Sequence, residues 1–231
     1  MNLEFGETRL EDRAAGKMTR LILFSSAVIS TVLGILYFLG LMGKLFVNGS
    51  IHAASSPSIT IVFAAFGLFW DITLVVLFLA LRRQITGSRT IFAELGLMFM
   101  VLMAAISSVN WYVQLTLVPK IAQSGDLTAL ALLDIHNTAS VMYAMEHLAW
   151  GLFYGLGLIF MALAIAGGRI EIWIRWLLIV GGVMSILYLP GILIANQVLT
   201  DLGYYAAGIF LPATTILLAV RFRKNEDPRT N

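Results

Sequence analysis

Four ionisable side chains lie inside long apolar stretches of the sequence, where a charge is costly. They are Asp71, Glu94, Glu146 and His147. Carboxyl and imidazole groups can exchange protons with a bound molecule or take part in a hydrogen-bond network. At membrane depth such groups are rare and usually face a protein interior or a water-filled cavity, so each is a candidate functional residue.

Asp71 is the hardest of the four to explain by packing alone. It lies near the middle of the apolar run 59–81, and its own helix face supplies no polar partner. The partner must come from another helix, from water or from a ligand, and the sequence leaves open whether the carboxyl group is ionised. Glu94 has a local explanation, since it lies at the start of the next run beside basic loop residues, and a helix start favours a carboxylate.

Two stripes of polar and aromatic residues are predicted to meet at one depth. Asn110 lies eight residues from the end of the third run, and Glu146 lies eight residues from the start of the fourth. Because antiparallel helices rise equally per residue, the two side chains should lie at the same level. The stripes comprise Ser107, Asn110, Trp111 and Gln114 in the third run, and Ser140, Tyr143, His147 and Tyr154 in the fourth.

We therefore predict an outward-facing polar and aromatic pocket within the membrane. The alternative is a buried network that only fixes helix register. Such hydrogen bonds average about 0.6 kcal/mol in membranes, a weak reason for so many polar groups. Asn196, Tyr204 and Tyr205 could complete the cup, and Trp70 could add an aromatic wall. The candidate pocket residues are Asp71, Asn110, Trp111, Gln114, Tyr143, Glu146, His147, Trp150 and Tyr188.

Recognisable catalytic and metal-binding motifs are absent from the sequence. It has no cysteine, which excludes disulfides and thiolate metal sites. It also has no HExxH, Walker A or GxSxG motif, and its three histidines have no recognisable metal spacing. We predict no cofactor and no metal, and we assign no catalytic residue.

Six apolar runs must position these side chains, and each is about long enough for a helix to cross a bilayer. The chain is 59% hydrophobic and only 12% charged, with a mean hydropathy of +0.89. We predict an all-α polytopic membrane protein with an N-terminal arm (1–19), a single six-helix transmembrane domain (20–222) and a C-terminal tail (223–231). The runs are 20–43, 59–81, 91–118, 138–166, 172–198 and 202–222.

The basic residues are distributed unevenly between the two sides of these runs. All Lys and Arg except Lys44 and Lys120 fall within residues 1–20, in the loops 82–90 and 167–175, or at 221 and beyond. Because basic short loops stay in the cytoplasm, we predict that both termini are cytoplasmic. The basic residues set topology and contact the lipid bilayer, and a nucleic-acid partner has little support.

Three segments resemble a family of six-span bacterial and archaeal membrane proteins catalogued as a domain of unknown function. Asp71 in the second span and Asp134-x-His136 before the fourth are the most distinctive parts. The resemblance implies a six-helix bundle in a prokaryotic cytoplasmic membrane, and it supplies no activity and no site residues. The segments are GLFWDITLVVLFLALRRQ (67–84), FAELGLMFMVLMAAISSVN (92–110) and ALLDIHNTASVMYAMEHLAWGLFYGLGLIF (131–160).

Three classes of function remain open at this point. The leading hypothesis is a non-enzymatic membrane protein whose pocket binds a small or lipid-like ligand for transport or sensing. The first alternative is an intramembrane enzyme in which Asp71, Glu146 and His147 perform acid–base chemistry on a lipidic substrate. The second is a structural or partner-binding subunit, which needs no cavity. The sequence does not give the oligomeric state or the identity of the ligand.

Overall fold

The computed structural model describes the backbone of residues 2–48 and 57–224, and the side chains of residues 15–40, 42–43 and 61–223. Within these ranges the chain is helical and contains no strand. The helices are α1 (Asn2–Asn48), α2 (Pro57–Gln84), α3 (Thr90–Thr116), α4 (Val118–Ser124), α5 (Leu127–Leu133), α6 (Val141–Ala164), α7 (Arg169–Leu193) and α8 (197–224).

Six of these helices, all except the short α4 and α5, are long and apolar enough to cross a membrane. The predicted all-α, six-helix fold is therefore confirmed. Each helix also exposes large apolar side chains to its surroundings, such as Leu39 on α1 and Trp173 on α7. Lipid tails are as apolar as leucine, so these side chains are well placed to contact them.

The helix boundaries differ from the predicted ones mainly at the ends of the spans. The predicted first span begins at residue 20, but α1 is helical from Asn2 and includes the predicted arm. In the connection 119–137 the leucine spacing predicts a short helix at 126–133, where α5 lies. It does not predict α4, for which Pro119 suits the first turn. The predicted fourth helix begins at 138, but Ser140 is the N-cap of α6, since its hydroxyl accepts a hydrogen bond from the Tyr143 amide at 2.9 Å.

The six spanning helices form a closed ring. Each packs against the next in the order α1, α2, α3, α6, α7 and α8, and α8 returns to pack against α1. A hydrogen bond of 2.7 Å between the hydroxyls of Thr31 and Thr215 joins the first and last helices. The first and last spans are therefore neighbours, although almost the whole chain separates them.

Glycines allow neighbouring helices of the ring to approach backbone to backbone. A Cβ atom on Gly182 of α7 would lie 2.7 Å from the carbonyl oxygen of Gly155 on α6. A Cβ atom on Gly96 of α3 would lie 2.9 Å from the backbone nitrogen of Met161 on α6. Small residues at such positions are the usual means by which membrane helices pack closely. α6 is thus held tightly against both of its neighbours.

The two ends of the ring differ in charge. We call the end that carries Arg82, Arg89, Arg169 and Arg221 the basic end. There Arg82 forms an ion pair with Glu94, which agrees with the local explanation predicted for Glu94. Arg221 of α8 pairs with Glu171 of α7 in the same way. The half of the ring near this end is filled by buried apolar side chains, including Leu74, Phe78, Met100, Leu158, Ile174 and Leu218.

We expect the Thr31→Val substitution to weaken the closure of the ring slightly. It removes the hydrogen bond to Thr215 while keeping a side chain of similar shape, so the free energy of unfolding should fall by about 0.6 kcal/mol. Denaturant unfolding in mixed micelles measures this change. The matched control is Thr73→Val, since the Thr73 hydroxyl bonds only to its own helix, at Phe69. An equal loss in both variants would contradict a specific role in ring closure.

Candidate functional site

A cavity of about 770 Å³ lies on the axis of the ring, in the half away from the basic end. All six spanning helices contribute to its wall, together with loop residues before α6 and α8. Ligand pockets of drug-sized molecules fall between about 300 and 1,000 Å³ and are mostly apolar. Nine of the lining residues are aromatic: Tyr37, Phe63, Phe66, Trp70, Trp111, Tyr143, Trp150, Tyr188 and Tyr204.

Six of the nine predicted pocket residues line this cavity. Glu146 and His147 both do so, although consecutive residues of a helix point about 100° apart. Both can face one cavity because it is wide and α6 borders it along two flanks of the helix. The predicted residues that line the cavity are Trp111, Tyr143, Glu146, His147, Trp150 and Tyr188.

The other three predicted residues, Asp71, Asn110 and Gln114, are fully buried behind the cavity wall. The Asn110 amide donates to the Glu146 carboxylate at 2.8 Å and to the Met142 carbonyl at 3.2 Å. The predicted common depth of Asn110 and Glu146 is therefore correct. Gln114 donates instead to the carbonyl of Leu133 at 2.7 Å, which fastens α5 to α3. These two amides position the wall and do not line the cavity.

Asp71 accepts a long hydrogen bond from the Ser108 hydroxyl at 3.4 Å. The partner comes from α3, and another helix was one of the three sources that the sequence left open. The second carboxyl oxygen, Oδ1, has no hydrogen-bond partner among the described residues. A long hydrogen bond stabilises the fold by less than the desolvation of a buried carboxyl group costs. Asp71 therefore lies in the wall of the ring and does not line the cavity, contrary to its prediction as a pocket residue.

His147 is held rigidly at the side of the cavity. Its Nδ1–H donates to the carbonyl of Tyr143 at 2.5 Å, which leaves Nε2 as the basic nitrogen of the neutral ring. The imidazole lies nearly parallel to the Tyr188 ring, with centroids 4.7 Å apart, and Tyr143 covers it at 3.7 Å. Gly203 makes room for Tyr188, because a Cβ atom there would lie 2.8 Å from its ring. The orientation of the imidazole is therefore fixed by three helices.

The tryptophans form a second aromatic group on the other side of the cavity. The ring centroids of Trp70 and Trp150 are 5.5 Å apart, and those of Tyr37 and Trp70 are 5.6 Å apart. The indole of Trp150 donates to the Ser107 hydroxyl at 3.0 Å. Trp111 lies across Gly67 of α2, where a Cβ atom would be 2.4 Å from the indole ring. The sequence predicted Trp70, Trp111 and Trp150 as aromatic walls, and all three line the cavity.

Several lining residues were not found by reasoning from the sequence. Tyr37 and Phe63 lie on α1 and α2. A signal for Tyr37 was available in its helical spacing from Thr19, Ser26 and Ser30, which are all buried on the same face of α1. Two residues expected to complete the cup lie elsewhere: Tyr205 is exposed, and Asn196 caps α8. α7 ends at Leu193, soon after Pro190, instead of reaching 198 as predicted.

The Asp134-x-His136 sequence forms a turn at the rim of the cavity. The Asp134 carboxylate accepts a hydrogen bond from the His136 amide at 2.9 Å, a common way for aspartate to fold a loop. His136 also lines the cavity. Within the described part of the chain, no three His, Asp or Glu residues cluster as ligands for a metal ion. The hydrogen bond between Asp134 and His136 shapes the loop that leads into α6.

Two widened, π-helical turns lie in the ring at the level of the cavity. One covers Leu148–Phe153 of α6, directly after His147, and the other covers Ala206–Phe210 of α8, directly after Tyr205. Pro212, which cannot donate a backbone hydrogen bond, follows the second turn. Single π-helical turns are frequent at functional sites.

A search of protein-family models, curated proteins and solved structures finds no significant match to this chain.

Proposed function

We propose that the cavity binds a small or lipid-like ligand from the outer side of the membrane, for transport or for sensing. The observation that carries this proposal is the cavity of about 770 Å³, which combines aromatic walls with Glu146 and His147. Largely preformed apolar cavities with few polar groups are typical ligand sites. A purely structural subunit has no need for such a space.

We propose a prokaryotic cytoplasmic membrane as the location, with both termini in the cytoplasm. The basic end of the ring supports this orientation, because positively charged short loops are retained on the cytoplasmic side. The cavity, in the opposite half of the ring, then faces the outside. The resemblance of the segments around Asp71 and Asp134-x-His136 to a prokaryotic family supports the choice of membrane.

An intramembrane enzyme is the second candidate, favoured by one specific observation. Glu146 and His147 face the same cavity, and the Nδ1–H bond to Tyr143 leaves His147 Nε2 able to act as a base. Asp71 does not line the cavity and so would not contact a substrate bound there. Chemical change of a bound molecule, abolished by His147→Gln while binding is retained, would favour the enzyme over a binding protein.

Native mass spectrometry of the protein, released gently from its own membrane, tests the proposal. We expect a discrete bound mass that is weakened or lost in Glu146→Gln, because the substitution replaces the ionisable carboxyl group of the cavity wall with a neutral amide. The matched control is Glu94→Gln, which neutralises an exposed carboxylate at the basic end, far from the cavity. Only bulk lipid, unchanged in both variants, would contradict ligand binding.

A further inference from the structure

We propose that the ligand is an organic cation, meaning a substituted ammonium group that carries apolar substituents. This inference rests on the proposed function and names the chemical class that the cavity selects. It follows from three properties of the wall: the sign of its charge, the number of its aromatic faces and the position of Glu146 among them.

The first property is the sign of the charge. Glu146 is the acidic residue of the cavity wall, and none of the described lining residues is Lys or Arg. The remaining titratable side chains of the wall are tyrosines and the imidazoles of His136 and His147. An intramembrane carboxylate is usually paired with a positive group, and here the protein supplies no permanently charged partner from the described wall. A cationic ligand would complete the pair.

The second property is the aromatic content of the wall. Tryptophan and tyrosine rings attract a cation placed over their faces, most strongly when water is excluded. Tyr37, Trp70 and Trp150 form a continuous series of ring contacts from α1 through α2 to α6. Tyr204 of α8, which meets the Tyr188 ring edge to face with centroids 6.2 Å apart, adds a further aromatic group to the wall. Aromatic enclosures of this kind recognise quaternary ammonium groups in other proteins.

The third property is that Glu146 lies among these rings. Its side chain lines the same cavity as Tyr37, Tyr188 and Tyr204, which belong to three other helices. Asn110 holds the carboxylate from behind through a hydrogen bond of 2.8 Å. A cation next to Glu146 would therefore contact aromatic groups on several sides. The size of the cavity leaves room for the apolar substituents that such a cation carries.

The same ammonium chemistry occurs in free organic cations and in the headgroups of choline lipids. The proposal concerns this shared chemistry. Short-chain probes distinguish the two sources, because a soluble cation competes without acyl chains. Choline and dihexanoylphosphatidylcholine are suitable competitors, with dihexanoylphosphatidylglycerol as an anionic lipid control.

Isothermal titration calorimetry of the full-length protein in a nonionic detergent tests the proposal. The probe is benzyltrimethylammonium, and the comparison compound is neopentylbenzene, which has the same shape without the charge. We expect saturable binding of the cation that is about tenfold tighter than binding of the neutral compound. Glu146→Gln should weaken cation binding by about tenfold, and Glu94→Gln should leave it unchanged.

A second variant guards against misfolding of the first. Trp111→Leu removes an aromatic face and should weaken cation binding, whereas Trp111→Phe keeps a face and should restore most of it.

Displacement by choline identifies free cations as the source, and displacement by the choline lipid alone identifies headgroups; either result supports the proposal. Equal affinity for the cation and the neutral compound would overturn the cation inference and leave the proposed function intact. If the cation does not bind but native mass spectrometry shows a discrete neutral or anionic ligand, the cation inference is wrong and the proposed function stands. If the cation does not bind and native mass spectrometry shows no discrete ligand, both proposals are wrong.

Discussion

Replacing Gly182 by leucine should separate α7 from α6 and lower the free energy of unfolding by about 1–3 kcal/mol. Even a single Cβ atom at this position would lie 2.7 Å from the carbonyl oxygen of Gly155 and 2.7 Å from Ile159. One of these contacts is with backbone, which cannot rotate away as a flexible side chain would. The helices must therefore move apart, and the movement would disturb the close packing of α6. Denaturant unfolding in mixed micelles measures the loss.

The control for this variant is Gly43→Leu on α1. No atom of the described residues lies within 4 Å of a Cβ atom built on Gly43, so the substitution adds the same side chain without a clash against them. Leucine also favours the helix more than glycine does. We expect the stability of this variant to equal or exceed that of the native protein. A similar loss in both variants would show that the clash at the contact between α6 and α7 is not the cause.

The Asn110→Leu substitution should have a comparable effect through a different mechanism. Asn110 is fully buried and donates to both Glu146 and the Met142 carbonyl. Leucine has a similar size but no donor, so the Glu146 carboxyl group loses its amide partner at membrane depth. Leaving a buried polar group without its partner costs about 1–3 kcal/mol. The measured quantity is again the free energy of unfolding in mixed micelles.

A double-mutant cycle separates this mechanism from simple loss of packing. Asn110→Leu should lower the free energy of unfolding because it leaves Glu146 without its amide partner. If so, replacing Glu146 as well should recover part of that loss. The double variant Asn110→Leu, Glu146→Leu should then be more stable than the sum of the single effects predicts, by about 0.5–3 kcal/mol. Strict additivity of the two substitutions would contradict a direct energetic coupling between the side chains.

The spanning helices could be predicted from the sequence because hydropathy and helix length are local properties. The match in depth between Asn110 and Glu146 was also predictable, since it requires only the rise per residue and the antiparallel direction of adjacent helices. The same reasoning does not give the rotation of a helix about its own axis. In a membrane the lipid-facing and the core-facing side chains are both apolar, so the pattern does not mark the inward face.

This limit explains the misplacement of Asp71. Asp71 was expected in the pocket because it is polar, yet the rotation of α2 turns Trp70 toward the cavity and Asp71 toward Ser108 of α3. Tyr37 became part of the wall through the contact of α1 with α8. That contact joins residues at opposite ends of the chain, and no local pattern specifies it.

The cavity is confined to one half of the ring and does not extend through the helix bundle as a channel would. The wall residue of α2 nearest the basic end is Trp70, and Arg82 lies about 18 Å further along the same helix at the usual rise per residue. The packed side chains of Leu74, Phe78 and their neighbours fill this interval. A solute in the cavity can leave toward the end away from the basic end, but it has no path through the packed half to the basic end. A one-way carrier would have to open a path through this packed half of the ring in every cycle, whereas a receptor could work with it closed.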